Sequence, residues 1–141
     1  MKHHIILKIV TKLLIPLILL FGLYVQFHGD FSAGGGFQAG VIFAAGFILY
    51  NIVFGLDVGQ SILSSNTAKS LMAIGVILYT IVGFLCILLG GNFLEYNDLS
   101  STPMRGQLLG VFLVELGVGL TVSNVMVLVF YSFNDISVEK Q

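Results

Sequence analysis

Four stretches of this chain are apolar for long enough to cross a lipid bilayer, at about residues 5–27, 37–56, 70–90 and 107–133. A helix rises about 1.5 Å per residue, so roughly 20 mainly apolar residues reach across the hydrocarbon layer. Inside lipid each segment has to satisfy its own backbone donors and acceptors, which makes every stretch a helix. Composition closes the soluble alternative. Only 9% of residues are charged, against about 25% in soluble domains, and the mean hydropathy is +1.02. The expected fold class is therefore all-α: a polytopic membrane protein, a bundle of four transmembrane helices, in which residues 1–141 form a single domain with no room for a soluble catalytic unit.

Charge sets the direction of the spans and excludes several functions. With a cytoplasmic N-terminus, Lys2, Lys8, Lys12, Lys69 and Lys140 fall on the inner side and only Arg105 on the outer, so both termini are expected in the cytoplasm. No small-x-small cleavage pattern follows the first apolar stretch between Leu20 and Phe27, and that stretch reads as a retained span. A net charge of −1 without basic clusters excludes nucleic acid as a partner. Cys86 is the only cysteine, which rules out a disulfide within the chain and a cysteine-based metal site. His3, His4 and His28 are dispersed, and no nucleophile–base pair accompanies them; neither an enzyme activity nor a metal or cofactor is expected.

The polar residues inside the spans carry the functional signal. Glu115 lies in the fourth stretch, about 12 Å below its outer end. A carboxylate there costs about 2.5–3.5 kcal/mol on insertion scales, and such residues are functional by default. Lys8 and Lys12 belong to the inner end of the first helix and Arg105 to the outer boundary. The options for Glu115 are a protonated acid, a reach to Arg105, or a partner on another subunit. At 100° per residue, Gly106, Gly110, Gly117, Thr121 and Asn124 share one stripe of this helix, and Glu115, Gly119, Val122 and Met126 the opposite one. Small residues mark close helix contact and an acid avoids lipid, so the fourth helix is expected to need protein on two sides, one of them another subunit.

In the second span Gly36, Gly40 and Ala44 recur every four residues and admit a neighbouring helix, with Asn51 continuing that side. Pro16 frees the carbonyl of Lys12, and Lys12 reads either as a snorkelling anchor or as the lining of a polar cavity. The turn from His28 to Phe37 holds Asp30 and the triplet Gly34, Gly35 and Gly36. It permits unusual backbone angles and gathers amides at a helix start, where an anion or carboxylate could bind, but by itself it reads as a tight re-entrant turn rather than a ligand site. Its glycine spacing and its helical context exclude a dinucleotide fingerprint.

At these residues the chain resembles the small MnhB/MrpB-type subunit of the Mrp-type, or Mnh-type, multisubunit monovalent cation/proton antiporters. The resemblance is strongest over Leu23 to Ala45, centred on Phe27-His28-Gly29-Asp30-Phe31-Ser32-Ala33-Gly34-Gly35-Gly36-Phe37-Gln38-Ala39-Gly40. Gly91-Asn92-Phe93-Leu94 and Val114-Glu115-Leu116-Gly117-Val118 extend it. Two positions depart from the family pattern: Ala33 stands where a proline is usual, and Glu115 where the family typically has a shorter acid.

The resemblance implies a small, non-enzymatic subunit of an assembly in the cell (inner) membrane that exchanges sodium or another monovalent cation for protons. Its implied partners are large subunits related to those of respiratory complex I, other small hydrophobic subunits, monovalent cations, protons and the lipid bilayer. Glu115 is the leading transport candidate, joined by Lys12 and Asp30, while Gly34, Gly35, Gly36, Phe37, Gly40, Gly110 and Gly117 are expected at helix junctions and interfaces. Two rival readings stand beside it: a structural subunit, of this antiporter or of a related hydrogenase-type membrane complex, and a self-associating channel.

Overall fold

The computed structural model describes residues 2–29 and 35–138. Four long helices, α1 (Lys2–Phe27), α2 (Gly36–Phe54), α4 (Ser65–Leu88) and α5 (Pro103–Val138), are accompanied by the short α3 (Leu56–Ile62) and a 3-10 turn at Tyr96–Leu99. Each long helix contains a span apolar enough to cross a membrane: Ile5–Phe27, Gly36–Phe54, Ser65–Leu88 and Pro103–Asn134. The four-span reading thus holds, with adjusted ends.

Each adjustment has a local cause. The second span stops at Phe54 because Gly55 takes φ +102°, a conformation that side chains resist. Between the second and third spans, the polar residues 57–69 are mostly helical: α3 covers 57–62, and α4 begins five residues before the expected start at 70. Ser64 caps that start by accepting the Thr67 N–H at 3.1 Å. Replacing Ser64 by alanine should cost about 1 kcal/mol, read as a fall of roughly 3–5 °C in the melting temperature of the detergent-solubilised protein. Pro103 opens α5, at a position where its missing N–H goes unused. In the connection before it, Glu95 accepts the Asn92 N–H at 2.9 Å and the Asn92 side-chain amide at 2.8 Å. These bonds hold its carboxyl below the usual range, the backbone bond contributing most.

The helices form an open row rather than a closed ring. α1 packs on α2, α2 on α5 and α5 on α4, so α5 runs through the middle with α1 and α4 on the flanks. Glycines set the close approaches. A Cβ on Gly75 of α4 would collide with Thr121 and with the Gly117 carbonyl, and one on Gly117 would lie 2.8 Å from the Gly75 carbonyl. On the other side of α5, a Cβ on Gly40 would lie 2.7 Å from the Gly119 carbonyl. Below this contact Ala44, Val127 and Tyr131 make the buried core, where the Tyr131 hydroxyl donates to the Leu63 carbonyl at 2.8 Å. The flanking helices turn their large apolar side chains outward, as at Leu13 and Leu88, into what is lipid for a membrane span.

This order corrects one step of the sequence reading. The two stripes of α5 do each meet protein, but both partners belong to this chain: Gly117 and Thr121 meet α4, and Glu115, Gly119 and Val122 meet α2. Gly106 and Gly110 pack under Tyr96 of the 3-10 turn, and Met126 is exposed. A central helix in a row has two covered sides without a second subunit, so the stripes alone do not demand one.

The buried Asn51 and Asn124 amide groups each donate within their own helix, while the buried Asn51 Oδ1 has no hydrogen-bond partner among the described residues. The Asn51 amide donates to the Phe47 carbonyl at 2.8 Å and Asn124 to the Leu120 carbonyl at 2.7 Å. Both read as packing residues.

Candidate functional site

The row brings Glu115 to the point where α1 turns into α2. With 36 residues α5 is about 54 Å long, whereas the 19 residues of α2 cover about 28 Å. α2 runs parallel to α5 but begins beside Glu115, the thirteenth residue of α5. The start of α2 therefore stands about 18 Å along α5 from its first residue, and the α4–α5 hairpin continues beyond it.

The glycines of the turn leave the space that the Glu115 side chain fills. A Cβ on Gly29 would lie 2.7 Å from Oε1 and 2.8 Å from Oε2, and one on Gly35 would lie 2.8 Å from Oε1. One residue further on, a Cβ on Gly36 would fall on the Glu115 backbone carbonyl. The half-buried carboxyl group is thus wedged between Gly29 and Gly35, beside the N-terminus of α2. A helix start carries a partial positive charge and unpaired N–H groups, which favour a carboxylate. The chain supplies by backbone geometry part of what the sequence could not find among its lysines.

A cavity of about 400 Å³ opens beside this carboxyl group, between the first turn of α2 and α5. Phe37, Gln38, Val114 and Val118 line it together with Glu115. The end of α1 is held to α5 by Phe27, whose ring stacks on Phe112 with centroids 5.9 Å apart. His28 stacks on Tyr24 at 4.2 Å, and its Nδ1 lies 3.1 Å from the Tyr24 carbonyl.

Gln26 is the site residue that sequence reading passed over. It is only 4% exposed, and its Oε1 lies where a Cβ on Gly119 would approach to 2.8 Å, one turn of α5 below Glu115. Its Nε2 has no hydrogen-bond partner among the described residues. The available signal was a lone carboxamide in the last turn of an apolar helix, four residues after Gly22.

The other sequence-selected residues divide by location. Gly35, Gly36, Phe37 and Gly40 belong to the Glu115 neighbourhood or to the α2–α5 contact, Gly117 to the α4–α5 contact, and Gly110 to the Tyr96 packing. Lys12 is exposed, with Nζ 5.8 Å from the Phe54 ring centroid. It precedes Gln26 by 14 residues of α1, about 21 Å along the axis, and is not brought to Glu115. Arg105 is ten residues up α5, about 15 Å away along the helix. Asp30, Ala33, Gly34 and Lys140 lie outside the described residues. Among the described residues no group of three His, Cys, Asp or Glu side chains could hold a metal ion.

Along most of its length the chain is similar to known proteins. A family model described as a domain related to the MnhB subunit of Na+/H+ antiporter matches residues 6–128. A Staphylococcus epidermidis protein carrying the name antiporter subunit mnhB2 is 36% identical over 137 residues, covering 94% of this chain and 96% of its own. Proteins of the same name from Staphylococcus haemolyticus and from Staphylococcus aureus strain Newman are each 33% identical, over 137 and 136 residues, with the same coverage.

Proposed function

This chain belongs to the family of domains related to the MnhB subunit of Na+/H+ antiporters, and from that membership we propose that Glu115 serves sodium/proton exchange directly. As an antiporter subunit with four membrane spans it is a multi-pass protein of the cell membrane, and other subunits are its partners. Within the assembly, Glu115 takes a proton or a monovalent cation at the α1–α2 turn, and the glycines keep room for that exchange.

One observation carries the reading: the Glu115 carboxyl group occupies the space between Gly29 and Gly35 and borders an open cavity. An acid kept only for packing would have no use for that opening. In a setting where charge is costly, the group favours whichever neutralising partner is present, a proton or a cation, and competition between the two is what exchange requires. The α2 N-terminus moderates the cost of the ionised form and so keeps both states within reach. The glycines let turn and acid approach closely enough for a partner subunit to close the remaining side.

Dicyclohexylcarbodiimide, which modifies protonated carboxyl groups in apolar surroundings, tests this in the intact antiporter. Peptide mass measurement should find Glu115 labelled, and sodium should slow the labelling several-fold. Labelling indifferent to sodium, or confined to other acids, contradicts the proposal.

A further inference from the structure

At the opposite end of the α1–α2 pair from Glu115, a groove combines an apolar trough with a pair of cations. Its trough has a volume of about 270 Å³ and presents no polar surface; Ile15 and Leu19 of α1, Gly46 and Tyr50 of α2, and Ile62 of α3 line it. Gly46 forms its floor, where a Cβ would already lie 3.3 Å from Ile18. At its end, the Lys8 and Lys12 ammonium groups stand 6.0 and 5.8 Å from the centroid of one ring, that of Phe54.

The helical register joins the two parts. Lys8, Lys12, Ile15 and Leu19 follow i, i+4, i+7 and i+11 along one stripe of α1, and Gly46, Tyr50 and Phe54 follow i, i+4 and i+8 along one stripe of α2. Tyr50 stacks on Phe54 at 4.7 Å, continuing the aromatic wall from the trough to the lysines. Among the described residues neither ammonium group is in an ion pair, and Asp57, the acid of α3, is exposed. Two like charges gathered over one ring repel each other, and an anion between them removes that repulsion. A soluble anion would leave the adjoining trough uncovered. A partner helix would fill the trough but would need an acidic residue placed at its end.

We propose that this groove binds an anionic phospholipid of the leaflet on the N-terminal side, with an acyl chain in the trough and the phosphate between Lys8 and Lys12. The lysines are then headgroup ligands rather than members of the ion path, and the lipid fastens α1 to α2 and α3.

The test is native mass measurement on the full-length protein in micelles doped with either phosphatidylglycerol or phosphatidylcholine. The wild type should retain one phosphatidylglycerol per chain and no phosphatidylcholine. A Lys8→Gln/Lys12→Gln variant should lose about tenfold or more of that occupancy, whereas Lys8→Arg/Lys12→Arg and Lys69→Gln should keep it. The arginine pair keeps the proposal falsifiable if the glutamine pair does not fold. Equal phosphatidylglycerol retention by the glutamine variant overturns the proposal, as does equal retention of phosphatidylcholine. Displacement of the lipid by millimolar inorganic phosphate, or a wild type that holds neither lipid, overturns it too.

Discussion

Alanine at position 36 should leave little folded chain in the membrane. Its methyl group would land on the Glu115 backbone carbonyl oxygen, with the carbonyl carbon at 2.7 Å and Cα at 2.8 Å. Backbone cannot swing aside as a flexible side chain can, so the start of α2 has to lift from α5. That loosens the α1–α2 pair from the centre of the row. Overpacking costs typically about 1–3 kcal/mol where side chains can adjust, and more where they cannot. Gly46 provides the contrast: an added methyl group there meets Ile18 at 3.3 Å and Leu19 at 3.4 Å, both side-chain atoms. With the full-length protein expressed beside its partner subunits, size-exclusion of the extracted complex should show Gly36→Ala reduced at least about tenfold. Gly46→Ala should elute like the wild type. Equal yields of the two variants would mean that α2 and α5 do not meet at Gly36.

What the sequence revealed, and what it hid, follows from which forces leave a one-dimensional trace. The spans were legible because crossing a bilayer needs an unbroken apolar run, whereas the start of α5 at Pro103, four residues before the expected one at 107, lies outside that run. α3 and the first turn of α4 carry no such run. They lie among Asp57, Ser61, Ser64, Asn66 and Lys69, and only the Ser64 cap signals a helix there.

The candidate site was legible in its parts, and not in its assembly. The glycine turn and Glu115 each stood out, but their meeting depends on the order α1, α2, α5, α4, which hydropathy does not encode. The stripes of α5 gave the correct two faces; assigning one of them to another subunit assumed a closed bundle, in which a helix has a single inner side. Gln26 went unnoticed because one carboxamide in an apolar helix is invisible to periodicity until the close approach at Gly119 explains its burial.

The second large effect concerns Glu115 itself. Glutamine has nearly the same shape, so the wedge between Gly29 and Gly35 stays filled and assembly should persist. What disappears is a group able to trade a proton for a cation. Hydrogen bonds to charged groups are worth about 1.5–3 kcal/mol, so losing them at an obligatory step slows exchange by at least about tenfold. Aspartate keeps the carboxyl group but withdraws it by one methylene toward α5, and should retain an intermediate rate. This ordering separates chemistry from packing, because glutamine preserves shape and aspartate preserves charge.

Sodium-dependent proton flux, normalised to the amount of assembled antiporter in reconstituted vesicles, is the most direct measurement. A direct role for the carboxyl group predicts a loss of at least about tenfold for Glu115→Gln, with Glu115→Asp between it and the wild type. Undiminished flux per complex in Glu115→Gln would contradict that role and leave Glu115 as a packing residue.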